Sequence, residues 1–348
     1  MRIKLLVGLE GFEIKDEQIP ETHIKIGEFS LRPTVKNELK YAHVTSDEYL
    51  PPLLSYTAET EYELNESDFV ITVEEMYPEL KNKKYVIKED DDVVFIEYEE
   101  SNKGAIMKDI YLGNNRFIDY EKIIIAIVKN KVRPLITALH LYQSGYVNPF
   151  PVVIKITRDD GIEMFPITLG IFVMKYITRA YAIARAKLDD FSKSIAKTIE
   201  LLRDVKDELP FNYLNSGLMQ SDLAASVLPF YDNKIALLDY IAGMESLFGI
   251  EFELQFRLSF YVAEALGKDY EERKKYKDSI SELYGIRSKI AHGDDVGKTE
   301  EELEDLSKKA EDILRRLLNN YLQYLAKGRR KEDFKKDIEA KMLGKEAL

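Results

Sequence analysis

The sequence predicts an α+β protein, in which a β-rich α+β domain at residues 1–170 is followed by an all-α antiparallel helical bundle at residues 171–348. Two observations support this class. Segments rich in β-branched and aromatic residues recur over roughly the first 120 residues, whereas apolar residues recur at helical spacing in the second half. The length of 348 residues also suits about two domains, because single domains typically have ~100–200 residues.

The N-terminal half reads as strands separated by turn-forming clusters. The opening stretch, "MRIKLLVGLEGFEIKDEQ", is interpreted as a first strand because it has no long apolar core with a cleavage site. Four further segments are predicted strands: "HIKIGEFSL", "FVITVEEMY", "KYVIKED" and "VVFIEYEE". Their partial alternation of apolar and charged residues predicts strands with one solvent-exposed face.

Helical spacing first appears in "DYEKIIIAIVKNKVRPLITALHLYQSG", which predicts a helix that Pro134 kinks or divides and Gly145 stops. The next segment, "FPVVIKITRDDGIEMFPITLG", predicts a hairpin around Asp160-Gly161. We expect this hairpin to return to the sheet of the first domain.

The second half is predicted to be helical throughout. Residues 172–205 are expected to form one long helix or two pieces, and residues 212–232 an irregular or short-helical connection. Three helices then follow in "NKIALLDYIAGMESLF", "EFELQFRLSFYVAEALG" and "DYEERKKYKDSISELYGIRSKIAH". Thr299 and Glu302 have capping-box spacing for a last long helix that Gly328 would end.

Composition excludes several kinds of site. The chain has no cysteine, so thiolate chemistry and cysteine-ligated metals are excluded. Its 4 histidines form no HxxxH or HExxH pair, and neither a metal nor a cofactor is expected. The apolar runs are shorter than the roughly 20 residues of a membrane span, so we expect a cytoplasmic protein without a membrane partner.

A net charge of −12 argues against a protein that binds nucleic acid through an overall basic surface. Two local basic segments remain as candidates, "ERKKYKDSISELYGIRSK" and the tail "AKGRRKEDFKK". For both, the alternative is a solvated helix face, and that alternative is favoured for the tail.

Three charged residues break the apolar pattern of neighbouring helices. Arg287 falls near the centre of the apolar stripe of its helix, Glu245 occupies an apolar position, and Arg257 borders an apolar stripe. Burying an unpaired charge costs several kcal/mol, so these residues need partners. Projection favours a structural ion-pair cluster, in which Glu245 would neutralise Arg257, Arg287 or both. The alternative is a polar groove in which arginines bind phosphate.

His292 lies five positions after Arg287, which places it about 140° away around an ideal helix. Gly293 can form a left-handed C-cap that ends the helix at His292. The histidine would then interact with the helix C-terminal dipole, or it would contact a second copy of the same helix end across a two-fold dimer.

The segments "NKIALLDYIAGMESLFG", "ELQFRLSFYVAEALG" and "YKDSISELYGIRSKIAHGD" resemble the three successive helices of HEPN domains, in particular the Apea-like HEPN group. The resemblance covers roughly residues 231–295, and it rests on Glu245, on Arg257 and on an arginine followed five residues later by a histidine. It implies that Arg287 and His292 are the catalytic pair. It further implies that Ser288, Lys289, Glu245 and Arg257 are supporting or RNA-binding residues.

Many members of that family are dimeric, metal-independent endoribonucleases, and others bind RNA or nucleotides without cleaving them. The resemblance therefore implies a homodimer that cleaves single-stranded RNA by attack of the 2′-hydroxyl, in a defence or toxin setting, or a non-catalytic RNA-binding or scaffold protein. An imidazole with an ordinary pKa of ~6.5 suits proton transfer, and an arginine suits a phosphate. A toxin modified by a nucleotidyltransferase is less favoured, because "HGDDVG" has no tyrosine after the histidine. No motif predicts the role of the N-terminal domain.

Overall fold

The computed structural model describes residues 1–15, 22–35, 54–82, 84–90, 93–100, 103–109, 116–159, 161, 167–169, 181–224, 233–250 and 252–344. In these residues an N-terminal region of mainly antiparallel strands is followed by a C-terminal helical region. The predicted α+β class is therefore confirmed. Within the same residues, no helix is both long enough and apolar enough to cross a membrane.

The strands in chain order are β1 (Arg2–Glu10), β2 (Phe12–Lys15), β3 (Ile24–Ile26), β4 (Phe29–Pro33), β5 (Leu54–Glu63), β6 (Val70–Thr72), β7 (Tyr85–Asp90), β8 (Val93–Glu100), β9 (Lys103–Asp109), β10 (Arg116–Ile118), β11 (Asn148–Thr157), β12 (Ile167–Leu169) and β13 (Tyr181–Ala184). A six-stranded sheet has the order β12-β11-β1-β5-β4-β3, and a three-stranded sheet has the order β7-β8-β9. Strand β10 pairs with β6 antiparallel, and β13 pairs with β2 parallel.

The helices are α1 (Val73–Met76), α2 (Tyr120–Ile127), α3 (Arg133–Tyr142), α4 (Leu188–Arg203), α5 (Leu209–Ala224), α6 (Asn233–Phe248), α7 (Leu254–Leu266), α8 (Tyr270–His292), α9 (Glu300–Leu325) and α10 (Lys331–Met342). Helix α6 packs against α5, α8 and α9, and α7 packs against α8. A single apolar core joins these helices through residues such as Tyr240, Met244, Leu283 and Leu314.

Contacts divide the chain into two compact units. The first comprises Met1–Lys4, Glu61–Val132 and Ile154–Pro166, and the second comprises Leu5–Thr60, Arg133–Val153 and Ile167–Leu348. The predicted domain boundary at residue 170 remains a prediction.

Most of the predicted strands are confirmed. "HIKIGEFSL" contains β3 and β4, which pair antiparallel around Gly27 at a φ of 56°. "KYVIKED" and "VVFIEYEE" contain β7 and β8. "FVITVEEMY" is only partly a strand. The Thr72 N–H donates to the Glu75 carboxylate, and the Glu75 N–H donates to the Thr72 hydroxyl oxygen. This capping box starts the short helix α1 instead.

The helix predicted around Pro134 is divided as expected. A π-helical turn at Val128–Val132 separates α2 from α3, and Pro134 is the second residue of α3. The hairpin prediction is supported by the strand order, because β12 lies next to β11 and β11 lies next to β1. Gly161 has a φ of 84°, and Asp160 lies outside the described residues.

The prediction that the chain is all-α from residue 171 is wrong at β13, which pairs in register with the distant strand β2. Tyr181 is fully buried, its ring stacks on Phe12 with 5.8 Å between centroids, and its hydroxyl donates to the Leu139 carbonyl at 2.6 Å. These long-range contacts stabilise a strand where the local spacing suggests a helix. Residues 172–180 of the predicted helix lie outside the described residues.

The irregular or short-helical connection predicted at residues 212–232 is also corrected, because α5 is a full helix of 16 residues. Its sequence shows no clear apolar stripe because α5 packs against both α6 and α9. Gly217 lies against the ring of Tyr240, where an added Cβ would come within 2.3 Å of a ring carbon. A close approach of this kind explains a glycine inside the helix. Residues 225–232 lie outside the described residues.

The last long helix begins with the predicted capping box, in which Thr299 Oγ1 accepts from the Glu302 N–H at 3.2 Å. The basic tail after it forms α10, which the sequence did not predict. Phe334 of α10 is buried, and its ring lies 5.2 Å from that of Tyr321. Arg330 pairs with Asp333 at 3.2 Å within the tail. One face of the tail helix is therefore packed, while Arg330 and Lys336 are exposed, as the favoured alternative of a solvated helix face predicts for such cations.

Candidate functional site

Helix α8 carries most of the predicted site. The N-cap of α8 is Asp269, whose side chain accepts from the Glu272 N–H at 2.9 Å. Ile280, Leu283 and Ile286 are buried on the side that faces the other helices. Because Arg287 comes directly after these residues on the packed side, its side chain is only 30% exposed.

Helix α6 brings Glu245 to Arg287. Nη2 of Arg287 donates to Oε2 of Glu245 at 3.5 Å, which is long for a charge-assisted hydrogen bond. The Glu245 side chain is only 17% exposed, and its Oε1 is buried without a hydrogen-bond partner in the described part of the chain. The predicted pairing of Glu245 with Arg287 is confirmed as a contact, but it is a loose one.

The guanidinium of Arg287 keeps most of its capacity to bind. It has five N–H donors, and the bond to Glu245 is its only side-chain hydrogen bond among the described residues. Its Cζ also lies 5.5 Å from the centroid of the Tyr284 ring, one helical turn earlier. The arginine is thus placed by one carboxylate and one aromatic ring, with donors left for an anion.

Tyr284 was not among the predicted site residues. Burial and the negative charge of Glu245 raise the pKa of Tyr284, whereas the positive charge of Arg287 opposes the shift. Its position three residues before Arg287 was the available signal, because residues at this spacing share a helix face. Glu245, Arg287 and Tyr284 therefore form one polar cluster, which we call the Arg287 cluster.

Arg257 does not join the Arg287 cluster. Its side chain is exposed, and its Nε lies 3.6 Å from Oε2 of Glu253 on the preceding turn. Glu245 therefore pairs with only one of the two predicted arginines. Ser288 is half-buried and Lys289 is exposed, and neither side chain makes a hydrogen bond within the described residues.

His292 is the last residue of α8, and the predicted C-cap is confirmed. Gly293 has a φ of 75°, its N–H donates to the Ile290 carbonyl at 3.1 Å, and the Asp294 N–H donates to the Lys289 carbonyl at 2.9 Å. These two bonds define a Schellman motif that ends the helix. The imidazole of His292 is exposed and has no hydrogen bond or ion pair within the described part of the chain.

The structure therefore places Arg287 on the packed side of α8 and His292 on its exposed end. The described residues contain no group of three or more His, Asp or Glu side chains arranged to hold a metal ion. Comparison of the chain with protein-family models, with curated proteins and with solved structures finds no match.

Proposed function

We propose that this protein is a homodimeric, metal-independent endoribonuclease that cleaves single-stranded RNA, as the resemblance to HEPN domains implies. The observation that carries the proposal is the state of Arg287. It is half-buried, it is positioned by Glu245 and Tyr284, and it keeps free donors on the helix that ends at the exposed His292. An arginine of this kind can bind a phosphate bidentately and stabilise the charge of a transition state.

The proposed reaction needs only a phosphate ligand and proton transfer. One imidazole removes the proton of the 2′-hydroxyl, whose oxygen then forms a bond to the adjacent phosphorus. The bond from phosphorus to the 5′-oxygen breaks, and a second, protonated imidazole donates a proton to that oxygen. The products are a 2′,3′-cyclic phosphate and a 5′-hydroxyl.

A homodimer supplies both imidazoles. His292 is the only histidine on the helical segment with the HEPN resemblance, and it lies about 140° around the helix from Arg287. Two copies of α8 meeting at their C-terminal ends would bring two His292 side chains, together with the Arg287 of each copy, to one shared site. The exposure of His292 at a helix end supports this arrangement.

The second candidate is a non-catalytic RNA-binding or nucleotide-binding protein. The contact between Arg287 and Glu245 favours it, because a carboxylate beside the guanidinium competes with a phosphate for the same donors. In this case Arg287 would bind RNA weakly and no bond would be cleaved.

The proposed function is tested by incubating the wild-type protein with single-stranded RNA in EDTA, beside a DNA oligonucleotide of the same sequence. We expect cleavage of the RNA alone, with 2′,3′-cyclic phosphate ends. Arg287→Ala should lose at least about 100-fold of this activity, on the order of the loss for one transition-state donor. Lys308→Ala removes an exposed cation on α9 and should cleave like the wild type. Binding of RNA without cleavage would support the second candidate, and equal rates for wild type and Arg287→Ala would contradict the proposal.

A further inference from the structure

An open groove of about 570 Å³ lies between the first turns of α7 and the middle of α8. Its lining includes Leu254, Phe256, Ser259, Lys277, Ser281 and Tyr284. The two helices are joined across the groove by a hydrogen bond from Gln255 Nε2 to the Ser281 carbonyl at 3.1 Å. Tyr284 belongs both to the lining of the groove and to the Arg287 cluster.

Two phenylalanine side chains, one in the lining of this groove and one close to it in sequence, are largely exposed to solvent. Phe256 is 61% exposed although it lies on a helix, and Phe252, just before that helix, is 71% exposed. The Phe256 ring lies 4.7 Å from the Phe260 ring, so the pair forms a small aromatic surface. A cluster of exposed aromatic side chains beside a groove indicates a binding surface, because leaving large apolar area in water gives up the free energy of burial.

The groove itself is lined by one cation, Lys277, and one carboxylate, Glu253, and an excess of positive charge lies along α8, although the chain as a whole carries a net charge of −12. The segment "ERKKYKDSISELYGIRSK" of α8 has 6 basic and 3 acidic residues. Lys277 Nζ lies 5.6 Å from the centroid of the Phe260 ring, in the same way that Arg287 lies over Tyr284. Lys277 therefore lies beside a ring of α7, and Arg287 lies beside the buried ring of Tyr284, which is one of the lining residues of the groove.

We propose that this groove holds the bases of single-stranded RNA while Arg287 binds a phosphate of the same strand. This inference rests on the proposed function, since it names the subsite next to the same arginine. Aromatic rings with flanking cations are the surface that unpaired nucleic acid needs, because every base has a π-face to stack and every linkage has a negative charge. Phe256 is the stacking residue, Lys277 a phosphate contact, and Tyr284 the link to Arg287. Stacking of this kind tolerates any base, so the groove selects unpaired strands rather than a sequence.

The test is equilibrium binding of a labelled single-stranded RNA and of an abasic RNA of equal length, at one fixed salt concentration. The binding protein carries His292→Ala, so that the RNA stays intact. We expect Phe256→Ala to weaken binding of the base-containing RNA by about 10-fold or more and to leave binding of the abasic RNA unchanged. Phe256→Trp should restore binding because it restores a ring. Tyr270→Ala is the matched control, since Tyr270 is an exposed aromatic residue at the opposite end of α8.

The outcomes separate the groove from the proposed nuclease. If the wild-type protein cleaves RNA but Phe256→Ala binds both oligonucleotides normally, the groove proposal is overturned and the nuclease stands. If Phe256 is needed for binding but no RNA is ever cleaved, the groove stands and the nuclease is overturned. If neither RNA binds, both proposals fail. If Phe256→Ala shifts the monomer–dimer equilibrium in sedimentation without RNA, the groove is a subunit interface and the proposal is overturned.

Discussion

His140 makes stability sensitive to mild acid in a way that the structure specifies. The ring is fully buried, its Nδ1 lies 2.8 Å from Oδ1 of Asn215, and its Nε2 accepts from the Val147 N–H at 3.2 Å. Nε2 must therefore be unprotonated, and Nδ1 carries the hydrogen. A proton added to Nε2 would point at another donor, so the folded state holds the neutral ring.

Burial, with the nearby positive charge of Arg315, lowers the pKa of His140 from 6.5 to about 4, although the bond to Asn215 opposes the shift. Below pH 6.5 His140 becomes protonated in the unfolded chain but stays neutral in the folded chain, so the free energy of unfolding falls as the pH falls from about 6.5 towards 4. A difference of this size corresponds to about 2 kcal/mol between pH 7.5 and pH 5.0, and to roughly 3 kcal/mol once the pH is below 4.

The assay is urea unfolding of the wild-type protein and of His140→Gln at pH 7.5 and at pH 5.0. The variant is expected to be less stable at pH 7.5, because it loses the shape of the imidazole. It should lose about 2 kcal/mol less than the wild type on acidification, since it has no ring to protonate. If both proteins lose the same free energy of unfolding between the two pH values, the assignment of a neutral, buried His140 is wrong.

Three further sets of substitutions test the site and its supporting helices. Gly293→Ala should lower the free energy of unfolding by about 1 kcal/mol in a urea titration, because it forces an alanine to a φ of 75°. Gly285→Ala is the control within the same helix. Because Gly285 has open space around it, this substitution should raise the free energy of unfolding by up to about 1 kcal/mol. Thr299→Ala should cost about 1 kcal/mol through loss of the capping box, and Thr299→Ser should restore it. Glu245→Gln removes the negative charge that competes with RNA for Arg287, so the Kd for single-stranded RNA should fall severalfold, with at most about 1 kcal/mol of lost stability. The Kd is measured by fluorescence anisotropy. An unchanged Kd would contradict the competition between Glu245 and RNA.

Local spacing predicted the elements whose stability is set locally. Helix α8, its end at Gly293 and the capping box at Thr299 follow from helical periodicity and from side chains within a few residues of each other. The strand β13 and the helix α5 depend on partners far along the chain. Tyr181 needs Phe12 and Leu139, and Gly217 needs Tyr240, and no local pattern encodes those contacts.

In the candidate site, too, the features set by local spacing could be predicted and those set by distant contacts could not. Projection placed Arg287 and Glu245 on apolar faces, and the structure brings them into contact because α6 and α8 pack together. Projection also suggested Arg257 as a partner of Glu245, but Arg257 pairs with Glu253 on the preceding turn. The phase of a helix face can be predicted from the sequence. Which neighbouring helix lies against that face depends on tertiary packing, so the membership of the cluster could not be predicted.

The proposed nuclease is tested most directly by the rate of single-stranded RNA cleavage in EDTA, measured for the wild-type protein and for His292→Ala prepared in parallel. His292 is exposed at the end of α8, so its removal should leave the fold intact, which circular dichroism and urea unfolding will check. We expect the wild type to cleave in EDTA and His292→Ala to be slower by about 100-fold or more, the usual contribution of one general acid or base. Equal rates for the two proteins, or a wild-type activity that EDTA abolishes, would contradict the account.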